Sequence, residues 1–310
     1  MIRFDHFMAQ ANAAYYATKN PFADFTTAPE LTQVFGEILG AWARYIWQTI
    51  MGQPENLLVV EAGPGTGKLM ADFRRAFPHP PVHLIETSRA LRAEQAKRVP
   101  DAIWHDALDT VPHQPMILIA NEFLDALPVR QFIRRATGWV ERHVENAAYV
   151  EIPAAFDSPG PIGGIREINE QAQDFIRALA ARRAIALFID YGAATGEPAE
   201  TVQAIRGNAY ANPLASPGQA DITAHVDFHA LAETAREAGA TPHGPIPQNR
   251  FLTALGLFQR SDALAQNNPS MSEPLKLAAR RLTAPEAMGT LFKAFAITPQ
   301  NFPPLPGFEP

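Results

Sequence analysis

The sequence contains no cysteine in 310 residues. Disulfides, thiolate metal sites and cysteine nucleophiles are therefore excluded, and a reducing, cytoplasmic setting is expected. Positive charge is not in excess either. The formal net charge is -6 and the pI about 5.9, so the chain lacks the basic footprint of a nucleic-acid binder. No run approaches the ~20 continuous apolar residues of a membrane span. The start, Met1-Ile-Arg-Phe-Asp-His-Phe-Met8, has no signal-peptide apolar core. The nine histidines show no metal-ligand spacing with acids. What is present is 47% hydrophobic content, enough for a sizeable core, and 28 prolines that cluster outside the apolar runs.

Helical spacing of Phe4, Phe7, Met8 and Tyr15 predicts one helix over residues 1–20. Leu31 to Ile50 reads as a long amphipathic helix, with Pro29 and Glu30 suited to its first turn. The pattern then changes. Leu57-Leu-Val-Val60, Val82-His-Leu-Ile85, Ala102-Ile-Trp104, Met116-Ile-Leu-Ile119 and Ile185-Ala-Leu-Phe-Ile189 are short apolar runs, the signature of strands buried on both faces. Helical segments at 68–77, 89–98 and 168–182 alternate with them, which predicts a doubly wound parallel α/β sheet. Short β-like runs around a turn at Thr137-Gly138 predict a β insertion over 128–165 after strand four. Residues 222–226 read as extended, 227–238 as a helix, 248–285 as a helical insertion, and Gly289 to Ile297 as a closing antiparallel strand. The tail from Pro299 to Pro310, with five prolines, reads as extended or loose. The expected organisation is a single domain over 1–310: N-terminal helices and a lid over 1–50, then a core of 56–127 and 184–297 carrying these insertions.

Chemistry concentrates at strand ends. The first strand runs into Glu61-Ala-Gly63-Pro-Gly65-Thr-Gly67. A glycine-rich strand-to-helix turn lets a ligand approach the backbone and faces it with helix N–H groups. The dinucleotide pattern fails because Lys68 stands at the third glycine position. A phosphate loop is a nearer miss: Ala62 replaces its first glycine, and Leu69 replaces the hydroxyl that would hold magnesium. Glu-x-Gly-x-Gly-x-Gly, the class I methyltransferase pattern, fits without substitution, and its acid suits a cationic cofactor bearing an amino group. Glu61, Gly63, Pro64, Gly65 and Gly67 are the candidate cofactor residues. Glu86 closes the second strand about 20 residues on, where an acid accepts ribose hydroxyls. Asp106 follows the third strand, where an adenine amine is expected. Asn121-Glu122-Phe-Leu-Asp125-Ala-Leu-Pro128 follows the fourth, with Asn121 placed toward the cofactor. Met116 to Glu122 also resembles the magnesium-binding strand of an ATPase, so a degenerate ATPase stays open here. Lesser candidates are Asp190, a lid containing Asp24 and Glu30, and His225.

Taken together, Asp24-Phe-Thr-Thr-Ala-Pro-Glu30 followed by Phe35-Gly-Glu37, Glu61 to Asp72, Ala120 to Phe132, Ile189-Asp-Tyr-Gly192, Pro217 to Phe228 and Met288 to Lys293 resemble the MidA-like family over nearly the whole chain. That family includes the mitochondrial complex I assembly-factor methyltransferase. The resemblance implies a bacterial, cytoplasmic member with a Rossmann-like, seven-stranded fold and S-adenosyl-L-methionine as cofactor. Its eukaryotic relatives would lie in the mitochondrial matrix. It further implies methylation of arginine on a subunit of the respiratory NADH dehydrogenase. Departures fall at Thr66 and Lys68 in the loop, at Asn208, and at Asn249-Arg250, the last two on the acceptor side. Glu122 and Asp125, with Asp24 or Glu30 from the lid, are the expected catalytic carboxylates. A non-catalytic assembly factor with the same fold is the alternative.

Overall fold

The computed structural model describes residues 1–18, 26–197 and 199–309. Asp24 therefore lies outside the described residues. The chain divides into two compact units.

One unit comprises Thr26–Phe123, Ile176–Gly192 and Ala232–Pro310. Its sheet is built from the apolar runs: Leu58–Ala62 (β1), Val82–Ile85 (β2), Ile103–His105 (β3), Met116–Asn121 (β4) and Ile185–Ala193 (β5). β1, β2 and β4 are buried at every residue, so the sheet is covered on both faces. Ala240–Pro247 (β6) and Phe292–Pro299 (β7) complete the order β3-β2-β1-β4-β5-β7-β6. Neighbours from β3 to β5 are parallel. β7 runs antiparallel to both β5 and β6. The chain order reverses between β1 and β4, and the carboxyl ends of those strands border the crevice where open α/β sheets take ligands.

β6 carries Pro242, Pro245 and Pro247. Proline cannot donate to a β ladder, but β6 is the edge strand, where one side needs no donor. The expected single helix from Leu31 is corrected to two. Ala28–Leu31 forms one turn with Pro29 near its start. Thr32 is then extended (φ −162°, ψ 142°), and its hydroxyl accepts the Val34 N–H to open Gln33–Thr49 (α1). The C-terminal tail is not loose. Leu305 is fully buried, the Trp42 indole N–H donates to the Pro306 carbonyl at 3.0 Å, and Phe308 lies 5.1 Å from the Phe251 ring.

α1 packs on Lys68–Ala76 (α2) at glycine distance. A Cβ on Gly40 would stand 2.2 Å from the Phe73 carbonyl oxygen. Gly40→Ala should therefore cost about 1–3 kcal/mol by overpacking. A urea midpoint that falls with unchanged m-value checks this.

The other unit comprises Met1–Phe25, Leu124–Phe175 and Ala193–Leu231. Strands Arg130–Arg135, Gly138–Glu145, Ala148–Pro153 and Ile165–Ile168 form antiparallel pairs. Ile2–Arg3 adds to Gly138–Glu145, so the N-terminal helix begins at Phe4 rather than at the chain start. Phe4, Met8 and Ala11 of that helix share a core with Val129, Val144 and Ile222. Among the described residues, no helix is long and apolar enough to cross a membrane.

Candidate active site

The glycine loop leaves β1 in a conformation that side chains resist. Gly63, Gly65 and Gly67 have φ of 65°, 53° and 79°. The Gly67 N–H donates to the Pro64 carbonyl at 2.7 Å, closing the turn, and α2 starts directly after it. A Cβ on Gly63 would meet the Phe123 ring at 2.9 Å. Lys68 does not turn back to the loop: its ammonium lies 2.6 Å from the Asp72 carboxylate on its own helix. Leu69 is buried. Neither residue serves as a phosphate loop would need.

Two buried acceptors stand at the switch point. Glu61 is 2% exposed, and its Oε2 has no hydrogen-bond partner. Burial pushes its carboxyl up to about 8. Asn121 closes β4; its Nδ2 donates to Glu122 Oε1 at 3.1 Å, while its buried Oδ1 has no partner. Unpartnered buried acceptors are costly. An ammonium group, which has donors and no acceptor, fits both.

Glu86 follows β2. Its Oε1 accepts the Ser88 N–H at 2.7 Å, and its Oε2 accepts from Gln95 Nε2 at 3.2 Å. Burial raises the Glu86 pKa, and these bonds oppose the rise. Asp106 sits after β3, largely exposed, with Arg92 at 2.5 Å. Gln95 had no sequence signal: a glutamine on Arg89–Arg98 (α3), a predominantly polar helix, reads as surface. It is instead fully buried and also donates to the Gly65 carbonyl at 2.9 Å.

Glu122 has a left-handed backbone (φ 50°). Its N–H donates to the Ile189 carbonyl at 2.9 Å, and its Oε1 accepts the Ala28 N–H at 3.3 Å. The next N–H, of Phe123, donates to the buried Asp190 carboxylate at 3.1 Å. Glu30 accepts the Thr66 hydroxyl at 2.6 Å, which joins the Ala28–Leu31 turn to the glycine loop. Within this unit the fold thus brings Glu30, Glu61, Asn121 and Glu122 to one sheet edge. Asp125 belongs to the other unit. It is buried there, its carbonyl accepts the Ala224 N–H, and its charge joins that of Asp221 in raising the Tyr16 pKa, after burial itself. The Tyr16 hydroxyl donates to Asp221 at 2.9 Å, a pairing the sequence reading missed.

The sheet order and the loop define an α/β S-adenosyl-L-methionine-dependent methyltransferase fold. Residues 38–246 match the model of the family described as "Putative S-adenosyl-L-methionine-dependent methyltransferase". The chain belongs to that family, which also holds the mitochondrial NDUFAF7 proteins, and its cofactor is S-adenosyl-L-methionine. It is 31% identical to human "Protein arginine methyltransferase NDUFAF7, mitochondrial" over 329 residues, covering 90% of this chain and 74% of the relative. The Drosophila melanogaster homolog of that protein is 29% identical, covering 94% and 79%. A Burkholderia thailandensis protein solved bound to S-adenosyl-homocysteine superposes with a TM-score of 0.84 at 26% identity, covering 99% of this chain and 90% of that one.

Proposed function

We propose that this protein transfers the methyl group of S-adenosyl-L-methionine to an arginine of a protein substrate, a subunit of the respiratory NADH dehydrogenase. The observation that carries the reading is the pair of unpartnered buried acceptors, Glu61 Oε2 and Asn121 Oδ1, at the switch point beside the glycine loop. They hold the amino-acid end of the cofactor. Gly63, Pro64, Gly65 and Gly67 allow its close approach. Glu86 accepts from the ribose hydroxyls, and Asp106 from the adenine amine. When bound, the cofactor supplies a methyl on a sulfonium, and the protein's task is alignment.

The acceptor side rests on carboxylates. An arginine guanidinium is protonated at neutral pH, its free pKa exceeding about 12. Glu122 holds it in a fork geometry and draws charge away from the attacking nitrogen. Glu30 and Asp24 of the N-terminal segment, and Asp125 three residues further along the same sequence block, are the proposed supporting carboxylates. The arginine methyltransferase names of the relatives support this choice of acceptor.

The test is transfer of labelled methyl into lysate from a strain lacking this gene. A labelled protein that yields methylarginine on hydrolysis, identified by mass spectrometry, is the expected result. A captured partner with no incorporated methyl would favour a non-catalytic assembly factor. Calorimetry should show heat with S-adenosyl-L-methionine and none with ATP–Mg.

A further inference from the structure

We propose that Gln95 is a positioning residue that sets cofactor affinity, by locking the glycine loop and the ribose-binding acid into one unit. The proposal rests on the cofactor reading above. A glutamine amide offers two N–H donors and one acceptor oxygen. Gln95 uses all three within the fold. Nε2 donates to the Gly65 carbonyl at 2.9 Å and to Glu86 Oε2 at 3.2 Å, and Oε1 accepts the Trp104 indole N–H at 2.8 Å. One side chain therefore ties the turn after β1, the acid after β2 and the strand β3.

The joint has no slack. Gln95 is fully buried, and a Cβ on Gly67 would stand 3.2 Å from its Cα, so α3 presses directly on the loop. Glu86 is consequently held from two directions, Oε1 by the Ser88 N–H and Oε2 by Gln95. Each carboxylate oxygen keeps further lone-pair capacity. That is the arrangement needed to accept from two neighbouring hydroxyls. A carboxylate free to rotate would lose this geometry, and a Gly65 carbonyl without its donor would let the loop shift.

Two variants test this in the full chain, by calorimetric titration with S-adenosyl-homocysteine. Gln95→Glu keeps the shape but replaces a donor with an acceptor opposite Glu86 and the Gly65 carbonyl. At low pH the two carboxyls share a proton and restore one bond. As pH rises both ionise and repel. The other charged groups nearby are Arg92 and the Glu94–Arg98 pair on α3, and Asp106 after β3, none of which the substitution alters. The expected Kd for Gln95→Glu lies within about threefold of wild type at pH 6 and is at least tenfold weaker at pH 8, on the scale of a lost bond to a charged group. Gln95→Leu should bind at least about tenfold more weakly at both pH values. In both variants kcat at saturating cofactor stays within about threefold of wild type, and the loss falls in the cofactor KM.

A folded Gln95→Glu whose Kd keeps the wild-type pH profile overturns the proposal. So does a loss carried by kcat with KM unchanged. If Gln95→Leu does not fold, the pH profile of Gln95→Glu decides. Wild-type protein that fails to bind S-adenosyl-homocysteine would instead overturn the cofactor reading itself, together with this role.

Discussion

Glu122→Gln should lower the rate of methyl transfer by on the order of 10²–10³-fold while leaving S-adenosyl-homocysteine binding within about threefold of wild type. The backbone argues for a functional side chain. A left-handed conformation at a non-glycine residue costs of order 1–2 kcal/mol. It persists here because the Glu122 N–H is fixed to the Ile189 carbonyl and the Phe123 N–H to Asp190. The result is a carboxylate at the end of β4 whose Oε1 accepts from the Ala28 N–H and from Asn121 Nδ2. Glutamine is nearly isosteric and still accepts from the Ala28 N–H, so the local structure survives. What disappears is the charge that would hold a guanidinium. Calorimetry and label transfer read the two halves separately. Unchanged transfer would remove Glu122 from the mechanism, and lost binding would reassign it to the cofactor.

Glu61→Gln should weaken S-adenosyl-homocysteine binding at pH 8 by roughly 10–100-fold, the scale of one hydrogen bond to a charged group. It should also flatten the pH dependence of binding. Burial raises the Glu61 carboxyl from its ordinary 4.5 to about 8, so in the free protein it is mostly protonated at neutral pH. A bound ammonium favours the ionised form, so binding expels a proton. Affinity of the wild type should therefore rise between pH 6 and 8, by at most tenfold per unit. The sign for stability is opposite. The folded pKa lies above the unfolded one, so the folded state holds the extra proton between 4.5 and about 8. The contribution is complete below the unfolded value and is lost as pH rises through the folded one. The free wild type should thus lose stability from pH 5 to 8 relative to Glu61→Gln, as thermal melts of both proteins would show.

Much of this site is legible in the chain because its positions are local. β1, β2 and β4 are buried on both faces, so they are predominantly apolar, and a polar residue at or just after the end of a strand marks the carboxyl edge. That is how Glu86, Asn121 and Glu122 stand out, with Glu61 as the acid inside an otherwise apolar β1. The glycines at 63, 65 and 67 are readable for a similar reason: their positive φ leaves little choice of residue. Other features depend on partners distant in sequence. β6 is a strand despite its prolines because β7 supplies its one paired side. The prolines at the C-terminus look like a loose end, yet Leu305 finds a place in the core. Thr32 ends one helix and caps the next, a choice made by its own backbone angles rather than by hydrophobic spacing.

The glycine loop, the strand-end acids and the family they resemble were determined by the sequence alone, since each is a local requirement of backbone or burial. Only the tertiary structure decided that Glu61 Oε2 and Asn121 Oδ1 lack partners, that Lys68 is taken by Asp72, and that a glutamine on a polar helix joins Gly65 to Glu86. Hydrogen-bond satisfaction is a property of groups brought together by folding, and no spacing along the chain encodes it.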